Sequence, residues 1–171
     1  EPGDFFTYEI DCESILILRD EDHCIRAFYN LCRHRGMRLA SGGGHATRFI
    51  CPYHQWTYDR AGQLKKTPGL QDIDTSDLDL VPIHCETAGG LIFICLADEA
   101  PDFEGARQNY SEALRPHGVD GAKVAAVIDY EIHANWKIVW ENNRECHHCV
   151  VNHPQYLKAN FDIFDEPTPE M

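Results

Sequence analysis

Residues 24–64 read CIRAFYNLCRHRGMRLASGGGHATRFICPYHQWTYDRAGQL. Two short chelating patterns stand in this stretch: Cys32-Arg33-His34 and, after an interval of sixteen residues, Cys51-Pro52-Tyr53-His54. Each follows a strand-like apolar run (24–30 and 47–50) and is trailed by turn or hairpin residues, which places each pair at the tip of a loop. Two such loops are able to clamp one metal group between them. Two thiolates and two imidazoles suit a 2Fe–2S pair held asymmetrically, with the cysteines on one iron and the histidines on the other. Replacing two thiolates by neutral imidazoles removes negative charge and raises the reduction potential above that of an all-cysteine ferredoxin. A Cys2His2 zinc site uses the same donors, but zinc fingers usually place both cysteines before both histidines. A Cys32–Cys51 disulfide is the other competing assignment, and it leaves both histidines unexplained.

Working outward, Ser14–Arg19 (SILILR) ends in the turn Asp20-Glu21-Asp22 and is followed by Cys24–Asn30, a hairpin pattern. Ser41-Gly42-Gly43-Gly44 reads as a flexible loop. It lacks the Lys-Ser/Thr that would follow in a phosphate loop. A strand is predicted over 47–50, a hairpin over 56–64 with its turn at Asp59–Gly62, and strands near 81–85 and 90–96. The texture changes near residue 102. Residues 103–115 look helical with Asp102 as N-cap, and Pro116 and Gly118 end that helix. Residues 124–134 (VAAVIDYEIHA) alternate as a strand does. Asn135 caps a second helix over 136–149, and Pro154 prevents its resumption. These elements predict an α+β chain: an all-β domain over residues 1–115, then the start of a second domain over 122–171.

A second constellation lies in residues 141–154, ENNRECHHCVVNHP. On a helix, Glu141, Glu145 and His148 share one face, and His153 follows next to Pro154. A chain turning there brings His148 and His153 to one metal. Two histidines and a carboxylate, with the remaining positions open, suit non-haem Fe(II) and O2. An exposed polar helix, or zinc held by Cys146, Cys149 and a histidine, are the alternatives.

Composition narrows the class. With 15 basic against 28 acidic residues the net charge is −13, so a phosphate backbone is repelled and nucleic acid is not an expected partner. No apolar stretch approaches the length of a membrane span, and no signal peptide is seen. Glu1-Pro2-Gly3-Asp4 reads as mid-chain sequence. The eight cysteines would suit a disulfide-stapled secreted domain, but Cys24, Cys85 and Cys95 sit in strand-like apolar runs where buried thiols are routine. The expected compartment is the cytoplasm.

The stretch FYNLCRHRGMRLASGG…FICPYHQWTYDRAGQL resembles the Rieske domain of Rieske non-haem iron oxygenases, over about residues 2 to 97. Rieske proteins of respiratory bc complexes are less similar, because they carry a further cysteine after each ligand pair, and Tyr53 and Arg35-Gly36-Met37 hold no thiol. The resemblance implies that Cys32, His34, Cys51 and His54 hold a Rieske 2Fe–2S cluster. It also covers Asn135-Trp136-Lys137 at the start of the second helix. That carry-over makes His148 and His153 ligands of a mononuclear non-haem Fe(II). It makes Glu145 the catalytic carboxylate that links the iron site to a Rieske histidine of a neighbouring subunit. His147 stands where the family often has tyrosine. The family's third ligand is an aspartate far downstream in a helix-grip catalytic domain, so the chain resembles the N-terminal part of a longer alpha (terminal oxygenase) subunit. Asp162 and Asp165 follow His153 too soon for that role.

The wording ENNREC-x-HC-x-x-NHP resembles the branch that attacks glycine betaine, proline betaine (stachydrine) and carnitine. There an N-methyl group is hydroxylated and the carbinolamine collapses to formaldehyde and the demethylated amine. The resemblance implies a homotrimer, an NAD(P)H-dependent reductase of flavin or ferredoxin type, O2 and a small organic substrate. An aromatic ring-hydroxylating dioxygenase and a Rieske ferredoxin acting only as electron carrier are the alternatives. Segment 135–153 separates the last, since an electron carrier does not need it.

Overall fold

The computed structural model describes residues 1–70, 74–144 and 148–159. The chain divides into two compact units, Glu1–Lys123 and Val124–Met171. The class is α+β: a β-rich first unit and helices in the second.

The first unit is organised by β2 (Glu13–Arg19), whose five central residues are all buried. It lies between β1 (Asp4–Ile10) and β3 (Ile25–Tyr29), antiparallel to both. The full sheet adds β4 (Gly43–His45) beyond β1, and β8 (Pro82–Ala88) and β9 (Leu91–Cys95) beyond β3. A second, three-stranded sheet contains β5 (Phe49–Ile50), β6 (Thr57–Tyr58) and β7 (Leu64–Lys66). Side chains on a strand alternate between faces, so β2 feeds two cores. Ile15 and Ile17 pack with Ala27 and Ile83. Leu16 and Leu18 pack with Phe28, Phe49, Trp56 and Tyr58, and Cys32 and Cys51 are buried in that same cluster.

The expected hairpin 14–19/24–30 is present, with Leu16 opposite Phe28. Strand β1 was not anticipated, and its presence changes the reading of the triple glycine. Gly43 and Gly44 form a strand against Phe6 and Phe5, rather than part of a flexible loop. A side chain there would crowd β1: a Cβ on Gly43 would lie 3.2 Å from the Phe5 carbonyl oxygen. The strand expected at 47–50 is shorter, Phe49–Ile50. Helix α1 (Glu104–Leu114) is where the sequence places it, but Phe103 occupies the N-cap. Asp102, one residue earlier, accepts the Glu104 N–H at 3.1 Å. Phe103 and Tyr110 pack their rings on Phe93 of β9.

In the second unit, residues 124–134 form no strand. Val124 and Ile128 are 81% and 70% exposed. A strand is stabilised by its cross-strand neighbours, and among the described residues nothing pairs with this run. Helix α2 (Trp136–Arg144) begins as expected, with Asn135 accepting the Lys137 N–H at 2.9 Å. Its described residues run to Arg144, residues 145–147 lie outside the described residues, and Cys149–Asn152 forms a short helix, α3. Pro154 does not end the helical run but opens α4 (Pro154–Ala159). Proline suits that first position because the N–H it lacks would have no intrahelical partner. No helix among the described residues is long and apolar enough to cross a membrane.

The β2–β3 turn is held by Asp20, which is buried. Its carboxylate accepts from the Asp22 and Cys24 backbone N–H groups and from Arg26 Nε. Burial pushes the Asp20 carboxyl up, but the Arg26 and backbone hydrogen bonds outweigh it and hold the pKa below the ordinary value. A depressed folded pKa gives stabilisation that is complete above the unfolded pKa of about 3.9 and is lost as pH falls through the folded value. Asp20→Asn is therefore expected to cost on the order of 1–3 kcal/mol near neutrality. Urea denaturation should show that deficit shrinking as the buffer is taken below about pH 4.

Candidate metal centre

The two ligand loops are built on one plan. In the first, Cys32 N–H donates to the Met37 carbonyl at 2.8 Å and Gly36 N–H donates to the Cys32 carbonyl at 2.9 Å. In the second, Cys51 N–H donates to the Trp56 carbonyl at 2.8 Å and Gln55 N–H to the Cys51 carbonyl at 2.9 Å. In both, the cysteine pairs with residues four and five further on. The residue four places on is left-handed in each, Gly36 at φ 68° and Gln55 at φ 63°. Glycine takes that conformation freely, whereas an L side chain is strained there. The first loop is also closed at its base by Asn30, a fully buried side chain. Asn30 accepts from the Leu39 and Ala40 N–H groups and donates to the Ala40 carbonyl and Ser14 Oγ.

This plan puts the four predicted donors into two environments. Cys32 and Cys51 are buried, and both are free thiols rather than a disulfide. His34 is half-buried and His54 exposed, with ring centroids 4.6 Å apart in an edge-on arrangement. Burial, and then the neighbouring His54 and Arg35 charges, hold His34 below the usual imidazole value, which favours the neutral, ligating form. His34 Nδ1 is buried without a hydrogen-bond partner. A buried ring nitrogen without a hydrogen-bond partner is one that a metal bond would satisfy.

Three aromatic residues that the sequence reading left as hairpin or loop support these donors. Tyr58, fully buried, places its hydroxyl 3.4 Å from Cys32 Sγ and accepts the Arg33 N–H at 3.0 Å. Burial and the hydrogen bond to Cys32 raise the Tyr58 phenol well above its ordinary value, so it remains protonated. Tyr53 lies over His54 at 3.8 Å, and Trp56 stacks on His34 at 4.8 Å. The available signal was the period of two: Trp56 and Tyr58 follow His54 at alternate positions of a strand edge and share one face.

In the second unit, the rings of His148 and His153 lie edge-on with centroids 5.3 Å apart. They line a cavity of about 430 Å³ with Asn142, Asn143, Gln155 and Tyr156. Glu145, and Cys146 and His147 with it, lie outside the described residues.

Comparison with known proteins places this arrangement. Residues 1–79 match the family of Rieske 2Fe–2S domains, and residues 119–169 match the catalytic domain of ring-hydroxylating alpha subunits. The chain belongs to the Rieske oxygenase alpha subunits. Among curated proteins it is similar to oxygenase subunits named for glycine betaine and for carnitine. It is 42% identical over 170 residues to the glycine betaine monooxygenase oxygenase subunit of Pseudomonas aeruginosa, covering 98% of this chain and 40% of that protein. It is 35% identical over 170 residues to the carnitine monooxygenase oxygenase subunit of Acinetobacter pittii, covering 93% of this chain and 44% of that protein. A crystal structure of the quaternary ammonium Rieske monooxygenase CntA with L-carnitine superposes with a TM-score of 0.84 at 34% identity, over 94% of this chain and 47% of that one. The chain thus spans less than half the length of these relatives.

Two substitutions check the loop geometry. Gln55→Gly should relieve the left-handed strain, raising stability by up to about 1 kcal/mol in thermal or urea unfolding. Tyr58→Phe should lower it by about 1–3 kcal/mol, because the Arg33 N–H loses its acceptor. An unchanged midpoint for the second would mean that the Tyr58 hydroxyl carries no weight in the loop.

Proposed function

We propose that the chain is the N-terminal part of the terminal oxygenase component of a Rieske monooxygenase, acting by N-demethylation of a quaternary ammonium compound such as glycine betaine or proline betaine. Residues 1–115 form the Rieske domain and 122–171 open the catalytic domain. The observation that carries the reading is a pair of loops on one hydrogen-bonding plan, whose cysteines are buried in one cluster and whose imidazoles lie 4.6 Å apart. Cys32, His34, Cys51 and His54 hold the 2Fe–2S cluster, and His148 and His153 hold the mononuclear Fe(II). Such a cluster supplies one-electron transfer at a potential raised by its histidines, and a non-haem iron with open positions supplies a site for O2.

The chain's own residues divide the remaining work. The buried thiols keep water from one end of the donor set, while exposed His54 leaves the other end accessible to a partner. Glu145, as a carboxylate, accepts a charge-assisted hydrogen bond from an imidazole and bridges the two metal sites across a subunit boundary of a homotrimer. An NAD(P)H-dependent reductase supplies the electrons, and the expected compartment is the cytoplasm. The match of residues 119–169 to a catalytic domain favours this reading over a ferredoxin that only carries electrons. Two relatives named for quaternary ammonium substrates favour it over a ring-hydroxylating dioxygenase.

Metal analysis tests the reading. Residues 1–171, purified anaerobically, dialysed against excess Fe(II) and desalted, should retain about two irons and two sulfides with visible absorbance. Zinc in place of iron and sulfide would sink the cluster assignment. Glu145→Gln in the whole oxygenase should leave both metals bound but slow cluster reoxidation when pre-reduced enzyme meets substrate and O2. Reoxidation at the unmodified rate would remove Glu145 from the bridge.

A further inference from the structure

The two loops share a hydrogen-bonding plan but differ at the residue five places after the cysteine. In the first loop this is Met37, which is 44% exposed. In the second it is Trp56, which is 3% exposed and belongs to the buried cluster that contains both cysteines. The indole of Trp56 does not lie over the histidine of its own loop. It lies nearly parallel to His34 of the other loop, with centroids 4.8 Å apart and planes 11° apart. His54 instead has Tyr53, from its own loop, tilted 31° over it and exposed to solvent. One imidazole is thus backed by a fixed core side chain that reaches across from the opposite loop. The other is backed by a surface ring.

We propose that Trp56 is the positioning residue for His34: its indole holds the imidazole plane across the two ligand loops and so fixes the direction of Nδ1. The inference rests on the reading of His34 as a cluster ligand. Three observations on the chain carry it. The Trp56 carbonyl is tied to Cys51 N–H at 2.8 Å, so the indole is anchored at its own ligand loop. Trp56 is buried in the same apolar cluster as Phe49, Tyr58 and Leu80, which leaves the ring little freedom to turn. The His34 Nδ1 that the stack orients is a buried nitrogen without another partner. No other described ring contact of His34 is as constraining: its second ring neighbour, His54, meets it edge-on and is exposed.

Trp56 Nε1 is itself buried without a hydrogen-bond partner. The stacking face and the N–H are therefore separable by substitution. Trp56→Phe keeps an aromatic face and deletes the N–H. Trp56→Leu keeps apolar bulk and deletes both. Each full chain is reconstituted with iron and sulfide, reduced, and examined by pulsed electron paramagnetic resonance with ¹⁵N-labelled histidine. The unmodified chain should show two histidine-nitrogen couplings. Trp56→Leu should shift or broaden one of them and leave the other, and a chelator should strip its cluster roughly 2- to 12-fold faster, the equivalent of one aromatic pair. Trp56→Phe should restore both couplings and most of the chelator resistance.

The outcomes separate the inference from the reading beneath it. Two unaltered couplings in Trp56→Leu would overturn the positioning role while leaving His34 a ligand. Equal damage in Trp56→Phe and Trp56→Leu would overturn it too, since the N–H and not the stack would then matter. Fewer than two histidine couplings in the unmodified chain would overturn the ligand assignment and this inference together. If Trp56→Leu does not fold, Trp56→Phe against the unmodified chain still decides, because retained couplings without the N–H support the stack and lost couplings refute it.

Discussion

Burial of two cysteine thiols in one apolar cluster is the constraint on which the first unit depends. Cys32 and Cys51 lie with Leu16, Leu18, Phe28 and Phe49, and the fully buried Tyr58 turns its hydroxyl toward Cys32 Sγ. A polar hydroxyl is expensive to bury without partners. Here it has two, the sulfur and the Arg33 backbone N–H. The same few atoms close the core and shape the first loop. Of the two histidines, His34 is half-buried and His54 exposed.

The local hydrogen-bond plan then repeats, and its repetition explains an oddity of composition. Both loops need a left-handed residue four places after the cysteine, and Gly36 supplies one without strain. Gln55 supplies the other against its own preference, held by the Cys51 and Trp56 backbone bonds on either side. Sustained strain of this kind gathers where surrounding structure over-determines the backbone. Around Gln55 the surroundings include a buried cysteine, a histidine donor and a core tryptophan.

The second unit obeys a different balance. Its helices carry Trp136, Trp140 and Ile138 exposed, and the run before them leaves Val124, Val127 and Tyr130 in solvent. Apolar surface of that extent is unusual for a self-sufficient fold. What the unit does organise is local: α3 and α4 are adjacent, and His148 and His153 flank α3, His153 at its junction with α4.

Much of this was legible in the residues alone. The interleaved Cys-x-His and Cys-x-x-His spacing marked the two loops and the period-two alternation marked the β-rich class, because both patterns are written in consecutive residues. The His148 and His153 pairing was legible for the same reason, since five residues and a proline fix their reach. Tertiary structure alone decided the rest. Gly43 and Gly44 became a strand only because β1 offers an edge that a side chain would obstruct. Residues 124–134 carry a strand's alternation but no strand, since hydrogen-bonded partners come from elsewhere in a chain and not from the run itself. The stacking of Trp56 on the histidine of the opposite loop is likewise absent from any local pattern. It joins residues 22 positions apart, and contacts across that separation exist only once two sheets and two loops have closed on one core.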